Sequence, residues 1–147
     1  GAVQKTWQFE LDLPAGSVKR PLFDLFGSVA PKTDQAFFSI TTRDSAGKVV
    51  HRNTYFPTQY KRCELAEAEV KTRVIGSIGN RFTIQVSTTA PTFFTWLEAP
   101  GIRGIFSDNS FTLLPGEPRE IEFIAKTETT ARDLRRVLRV MHLRGTY

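Results

Sequence analysis

Along Arg81-Phe82-Thr83-Ile84-Gln85-Val86-Ser87, apolar and polar side chains alternate without a break. Successive side chains of an extended chain point to opposite faces, so Phe82, Ile84 and Val86 face a core while their neighbours face water. The same rhythm recurs in short runs and predicts strands near 70–76, 80–88, 92–98, 109–114, 119–126 and 136–143. Turn chemistry separates them, as at Ile78-Gly79-Asn80 and Thr89-Ala90-Pro91. The longest stretch with helical spacing is 129–138, and Val137, Leu138 and Val140 argue for strand at its end. Many short strands at this spacing imply an all-β fold, an immunoglobulin-like antiparallel β-sandwich.

Upstream the pattern is thinner. Trp7, Phe9 and Leu11 alternate within 6–11 as a half-buried strand would, and Leu13-Pro14-Ala15-Gly16 reads as a turn. Runs at 35–42 and 48–55 flank Asp44-Ser45-Ala46-Gly47, the composition of a hairpin connection. Between 57 and 69 the alternation lapses, and the Glu/Ala composition of 64–69 suits one helical turn. The expectation is therefore two parts: residues 1–60, a partial second β-sandwich, and residues 61–147, a complete immunoglobulin-like domain. Three or four strands do not close a sandwich, and bare sheet edges invite pairing. The N-terminal strands are expected to pack on the C-terminal part or to self-associate with another copy.

The segment from Gly104 to Pro118 is the most informative. Ser107, Asp108 and Asn109 have side chains that bond back to backbone and form a tight corner. Phe111 and Leu113 then share one face, and Pro115-Gly116-Glu117-Pro118 ends the run. Phe106, Ser107, Asp108, Asn109, Phe111, Leu113, Pro115 and Gly116 are read as a fold-defining structural corner, with Gly104 and Gly116 marking unusual backbone angles. Asp108→Ala is expected to cause a folding defect rather than a selective loss of binding. In the preceding strand, alternation places Phe94 and Trp96 on one face and Phe93 on the other. The pair is assigned to the core.

The phrase Phe106-Ser107-Asp108-Asn109-Ser110-Phe111-Thr112-Leu113-Leu114-Pro115-Gly116-Glu117 resembles a corner of the C-terminal immunoglobulin-like domain of β-mannosidases and related exo-glycosidases of glycoside hydrolase family 2. His51-Arg52-Asn53-Thr54-Tyr55-Phe56-Pro57, followed by Lys61 and Leu65, is similar to the segment joining the last two domains of those enzymes. Val140 to Tyr147 is similar to their C-terminus. The resemblance implies a parent enzyme that removes terminal β-linked mannose by a retaining, two-glutamate mechanism. Both glutamates would lie on a barrel domain outside this sequence. This chain would then be a non-catalytic accessory piece whose partners are the missing upstream domains. Within it, Asn53, Tyr55, Tyr60 and Trp96 are the candidate sugar or interdomain contacts, and the segment from Asn53 to Lys61 would set the angle between two sandwiches.

Composition changes this picture little. A hydrophobic content of 40% with twelve Phe supports a packed core. Cys63 stands alone, so no internal disulfide forms, and two His with one Cys lack zinc-ligand spacing. No metal and no cofactor are expected. The net charge of +5 raises nucleic acid, but Arg132, Arg135, Arg136, Arg139 and Arg144 lack interleaved aromatics, so none is expected as a partner. No apolar run has the length of a membrane span. The lack of disulfides and of N-glycosylation acceptors fits a bacterial cytoplasmic or periplasmic protein. A start at Gly1-Ala2 reads as a trimmed or processed fragment. His51 and His142 lie in no nucleophile motif, the glutamates read as solvated faces, and no residue here is assigned a catalytic role. A free-standing carbohydrate-binding or protein-interaction module is the alternative, and an exposed aromatic cluster would favour the first.

Overall fold

The computed structural model describes residues 3–12, Gly16 and 34–146. The chain divides into two compact units between Glu64 and Leu65.

In the first unit, β1 (Phe38–Arg43) pairs antiparallel with β2 (Val49–Tyr55). Their turn is built by Asp44, whose Oδ1 accepts from the N–H groups of Ala46 at 3.0 Å and Lys48 at 2.9 Å. Gly47 supplies the left-handed angle, φ 79°, that closes it. A single 3-10 turn, Tyr60–Arg62, follows; the helical turn expected at 64–69 does not form. Residues 6–11 carry no strand either, with Phe9 and Leu11 exposed. Alternation prepares a strand, but only a ladder of backbone hydrogen bonds makes one. Apart from Gly16, the turn expected at 13–16 lies outside the described residues. Among the described residues this unit holds one two-stranded sheet, not three or four strands.

The second unit contains β3 (Val70–Ile78), β4 (Arg81–Thr88), β5 (Thr92–Glu98), β6 (Gly104–Phe106), β7 (Phe111–Leu113), β8 (Arg119–Ala125), α1 (Ala131–Val137) and β9 (Arg139–Met141). They form two antiparallel sheets, ordered β3-β4-β8-β6 and β7-β5-β9. Phe82, Ile84 and Val86 of β4 and Ile121 and Phe123 of β8 meet Leu97, Phe111 and Leu113 of the other sheet in one buried core, joined by Leu134 of α1. That is the sandwich the alternation predicted, since each strand hides one face only. Fully burying side chains of this size stabilises by about 1.5–3 kcal/mol apiece.

Three details depart from expectation. Strand β6 was not foreseen, because three residues opening on a glycine show no alternation. The strand expected over 136–143 shrinks to β9, since the chain stays helical through Val137. Thr130 caps that helix: its Oγ1 accepts from the Asp133 N–H at 3.1 Å and donates to the Asp133 carboxylate at 2.5 Å. Thr130-x-x-Asp133 carries the reciprocal capping pattern in the sequence. Gly104 does not have a left-handed backbone, unlike Gly116 at φ 79°. What it provides is room, because a Cβ there would sit 2.3 Å from the Phe123 ring and 2.6 Å from the Ile124 carbonyl oxygen.

Candidate functional site

The corner between β6 and β7 is where the domain's polar side chains concentrate. Asn109 turns its amide onto β5: Oδ1 accepts from the Leu97 N–H at 2.7 Å, and Nδ2 donates to the Leu97 carbonyl at 3.0 Å. In the β5–β7 ladder Thr95 stands opposite Phe111, so two residues further on Leu97 falls opposite Asn109. A side-chain amide thus continues the ladder where the backbone of β7 has already ended. Asp108 spends both carboxylate oxygens, Oδ1 accepting from the Asn109 N–H at 2.8 Å and Oδ2 from Arg119 Nη2 at 2.8 Å. The Arg119 guanidinium lies 4.8 Å from the centre of the Phe111 ring. Ser107 is held to β8 twice, its N–H donating to the Glu122 carbonyl and its Oγ accepting from the Glu122 N–H. Ser110 adopts φ 63°, a left-handed kink that starts β7.

Phe106 stacks on Phe123 with ring centroids 4.6 Å apart. Phe111 and Leu113 enter the core, and Pro115-Gly116 forms the turn whose Glu117 N–H donates to the Leu114 carbonyl. The corner expected from the sequence is therefore brought together, with one addition. Asn109 reaches a strand twelve residues back instead of its own turn, a partner that local turn rules do not reveal.

Strand β5 reverses the assignment of its aromatics. Phe93 is 3% exposed, whereas Phe94 and Trp96 are 41% and 44% exposed. The ladder with β7 slips at a bulge between Thr92 and Thr95, where Phe94 takes φ 51°, but from Phe93 to Leu97 the faces alternate as expected, with Phe94 and Trp96 together on the outer one. Thr92 and Thr95 occupy the inward positions, and the Thr95 hydroxyl donates to Thr92 Oγ1 at 3.1 Å. Trp96 is therefore not the core tryptophan; it stands opposite the exposed Met141 of β9. Trp96→Ala is expected to cost less than about 1 kcal/mol in urea unfolding, against about 3–5 kcal/mol for truncating a buried aromatic.

The other candidates lie in the first unit. Asn53 Oδ1 accepts from the Thr54 N–H at 2.8 Å. Tyr55 stands opposite Phe38 with ring centroids 6.3 Å apart, and Phe56 meets the Tyr60 ring edge-on at 5.0 Å. A surface depression of about 510 Å³ is lined by Thr54, Tyr55, Phe56, Thr58, Gln59, Tyr60 and Lys61. Trp96 belongs to the second unit, so Asn53, Tyr55 and Tyr60 form their own group.

Acid–base chemistry is sparse. Burial raises the Cys63 thiol, with Asp34 adding to the shift, so the nucleophilic thiolate is disfavoured. Among the described residues no three His, Cys, Asp or Glu side chains converge as a metal site. Burial pushes His142 below its ordinary 6.5. The unfolded chain therefore binds the proton first as pH falls, so the contribution of neutral His142 is present above 6.5 and lost below it. Urea midpoints are expected to fall as pH drops from neutral to below 6.5, and His142→Gln is expected to flatten that slope.

The mannosidase Ig-fold family model, Ig_mannosidase, matches residues 65–146. The chain belongs to this family. The chain is similar to Beta-mannosidase A of Aspergillus fumigatus, 35% identical over 78 residues, covering 52% of this chain and 8% of that protein. Beta-mannosidase A of Aspergillus terreus is 28% identical over 113 residues, covering 76% of this chain and 12% of its own length. The chain thus spans 8% and 12% of the length of these two curated relatives. The crystal structure of a beta-D-mannosidase from Dictyoglomus thermophilum superposes with a TM-score of 0.65 at 17% identity, covering 77% of this chain and 13% of that one. At that identity the match speaks for the fold alone.

Proposed function

We propose that this chain is a non-catalytic accessory piece of a β-mannosidase-like glycoside hydrolase, in which its Ig domain supports the catalytic barrel of a longer polypeptide. The observation that carries this reading is the state of the corner. Asp108 and Asn109 commit their side-chain oxygens and amide to Leu97, Arg119 and the turn, leaving a rigid joint rather than a reaction centre. Membership of the mannosidase Ig-fold family and the small share of each relative that the chain spans support it further. The partners are then the remaining domains of the same enzyme, and the parent's substrate is a terminal β-linked mannoside.

The test is hydrolysis of a chromogenic β-mannoside by the full-length polypeptide that the gene encodes, by this chain alone, and by the full-length form lacking 65–146. Activity in the first, none in the second and faster thermal inactivation of the third with an unchanged KM is the expected outcome. Turnover by the isolated chain would overturn the proposal. Exposed Trp96 favours one second reading, a sugar-stacking surface. Saturable binding of a β-mannooligosaccharide to this chain, abolished in Trp96→Ala, would promote it.

A further inference from the structure

Among the described residues, strand β3 is an edge of its four-stranded sheet, with β4 on one side only. In an antiparallel ladder the backbone groups of successive residues point to opposite sides of the strand. Glu69, just ahead of β3, turns its groups to the β4 side. Its C=O accepts from the Thr89 N–H at 3.1 Å, and its N–H donates to Thr89 Oγ1 at 3.0 Å. Val74 turns its C=O the other way, where it accepts from Arg135 Nη2 of α1 at 3.2 Å. The two observations agree on the phase: Lys71 and Arg73 bond to β4, while Ala68, Val70 and Thr72 present N–H and C=O to the open edge. Arg135 ends that open stretch at Val74.

The side chains along the stretch are ordered by charge. Glu67, Glu69, Lys71 and Arg73 are all exposed and, being two apart, share the outer face by alternation. Acids precede Val70 and bases follow it, so the run is complementary to itself in reverse. Laid antiparallel on a second copy with Val70 opposite Val70, it sets Glu69 against Lys71 and Glu67 against Arg73. Those pairs fall at the non-hydrogen-bonded positions, where opposed side chains are closest, and Ala68, Val70 and Thr72 fall at the bonded ones. Moving the twofold axis one residue along the strand puts Glu69 against Glu69 or Lys71 against Lys71, which is destabilising. Hydrogen-bond phase and charge therefore select the same register. Within one copy Lys71 reaches Glu69 at 3.6 Å, both side chains remaining well exposed, whereas Glu67 and Arg73 have no ion pair among the described residues.

We propose that residues 67–73 are a homodimer interface, in which the β3 edges of two copies pair antiparallel about Val70. A second copy is the occupant because the charge order matches its own reverse. The proposal goes beyond the accessory reading and does not depend on it. A short edge is a small contact, so the pair belongs to the weak class burying less than about 1,200 Å², with a dissociation constant on the order of 10–100 μM.

Sedimentation equilibrium of the 147-residue chain across that concentration range tests the interface, and reversible dimerisation is expected. Glu67→Lys with Glu69→Lys, or Lys71→Glu with Arg73→Glu, turns every cross-strand pair into a like-charge pair and should weaken association at least about tenfold. An equimolar mixture of the two variants should associate again as a heterodimer. Adding Ala68→Pro to both should abolish that recovery, since proline removes an N–H from the open edge and leaves the charges in place. In the unsubstituted chain, the Val70 and Thr72 amides should exchange more slowly as concentration rises. The Lys71 and Arg73 amides, already bonded to β4, should respond less. This comparison decides the outcome even if a variant misfolds. A chain that stays monomeric, a dimer indifferent to both charge variants, or Val70 and Thr72 amides that do not respond would overturn the interface. Recovery that survives Ala68→Pro would show charge attraction without strand pairing, and overturns it too.

Discussion

Gly104→Ala should destabilise the Ig domain by about 3 kcal/mol, the upper range for forcing a methyl group into a filled core. The position stands opposite Ala125 on the inner face, where the chain of β6 passes over the Phe123 ring. A new Cβ would meet that ring at 2.3 Å and the Ile124 carbonyl oxygen at 2.6 Å. The ring is held by Phe106 at 4.6 Å and Phe82 at 6.4 Å between centroids, and the carbonyl belongs to β8 itself. No rotamer change relieves both contacts, so β6 must lift off the sheet. Urea unfolding of the 147-residue chain should show the loss as a lower midpoint with an unchanged slope. A midpoint within experimental error of the parent would mean that β6 does not pack as described.

Asn109→Ala should cost about 2–4 kcal/mol. The substitution strips partners from the N–H and the carbonyl of Leu97, a residue only 1% exposed, and an unsatisfied buried group costs about 1–3 kcal/mol. Asn109→Asp, which keeps an acceptor and loses the donor, should fall between. Asp108→Ala, for which the sequence led to an expected folding defect, should instead cost no more than about 1 kcal/mol, because its ion pair with Arg119 is solvent-exposed on both sides. The ordering of the three losses is what chemical denaturation would read. Equal effects at the two positions would show that the corner works as a local turn and not as an extension of the β5–β7 ladder.

Much of the fold was legible because period-two alternation reports which face of a strand is buried, and β3, β4, β5, β7 and β8 fall on predicted runs. The failures have physical causes. Alternation put Phe94 and Trp96 on one face of β5 and Phe93 on the other, as the structure has them, but alternation alone does not say which face is the core. Large aromatics were assigned inward by size, yet the core beside the bulge is filled by Thr92, Thr95 and Leu97. The run at 6–11 alternates but has no ladder, since pairing depends on a distant partner. Helix α1 displaced part of a strand because Thr130 caps it, a signal present in the sequence and outweighed there by the β-branched residues that follow. For the corner, residue types announced a turn at 107–109, while the reach of Asn109 to Leu97 needed the fold. That Ile78, Ile105 and Ile124 share one outer face was hidden for a similar reason, as they come from three strands that only the register aligns.

Reading the gene upstream of Gly1 is the most direct test that this is a supporting domain of a β-mannosidase-like enzyme. An open reading frame continuing upstream into a barrel domain with two catalytic glutamates is the expected result. A start codon directly before Gly1, or a signal peptide with no enzyme domain attached, would contradict it.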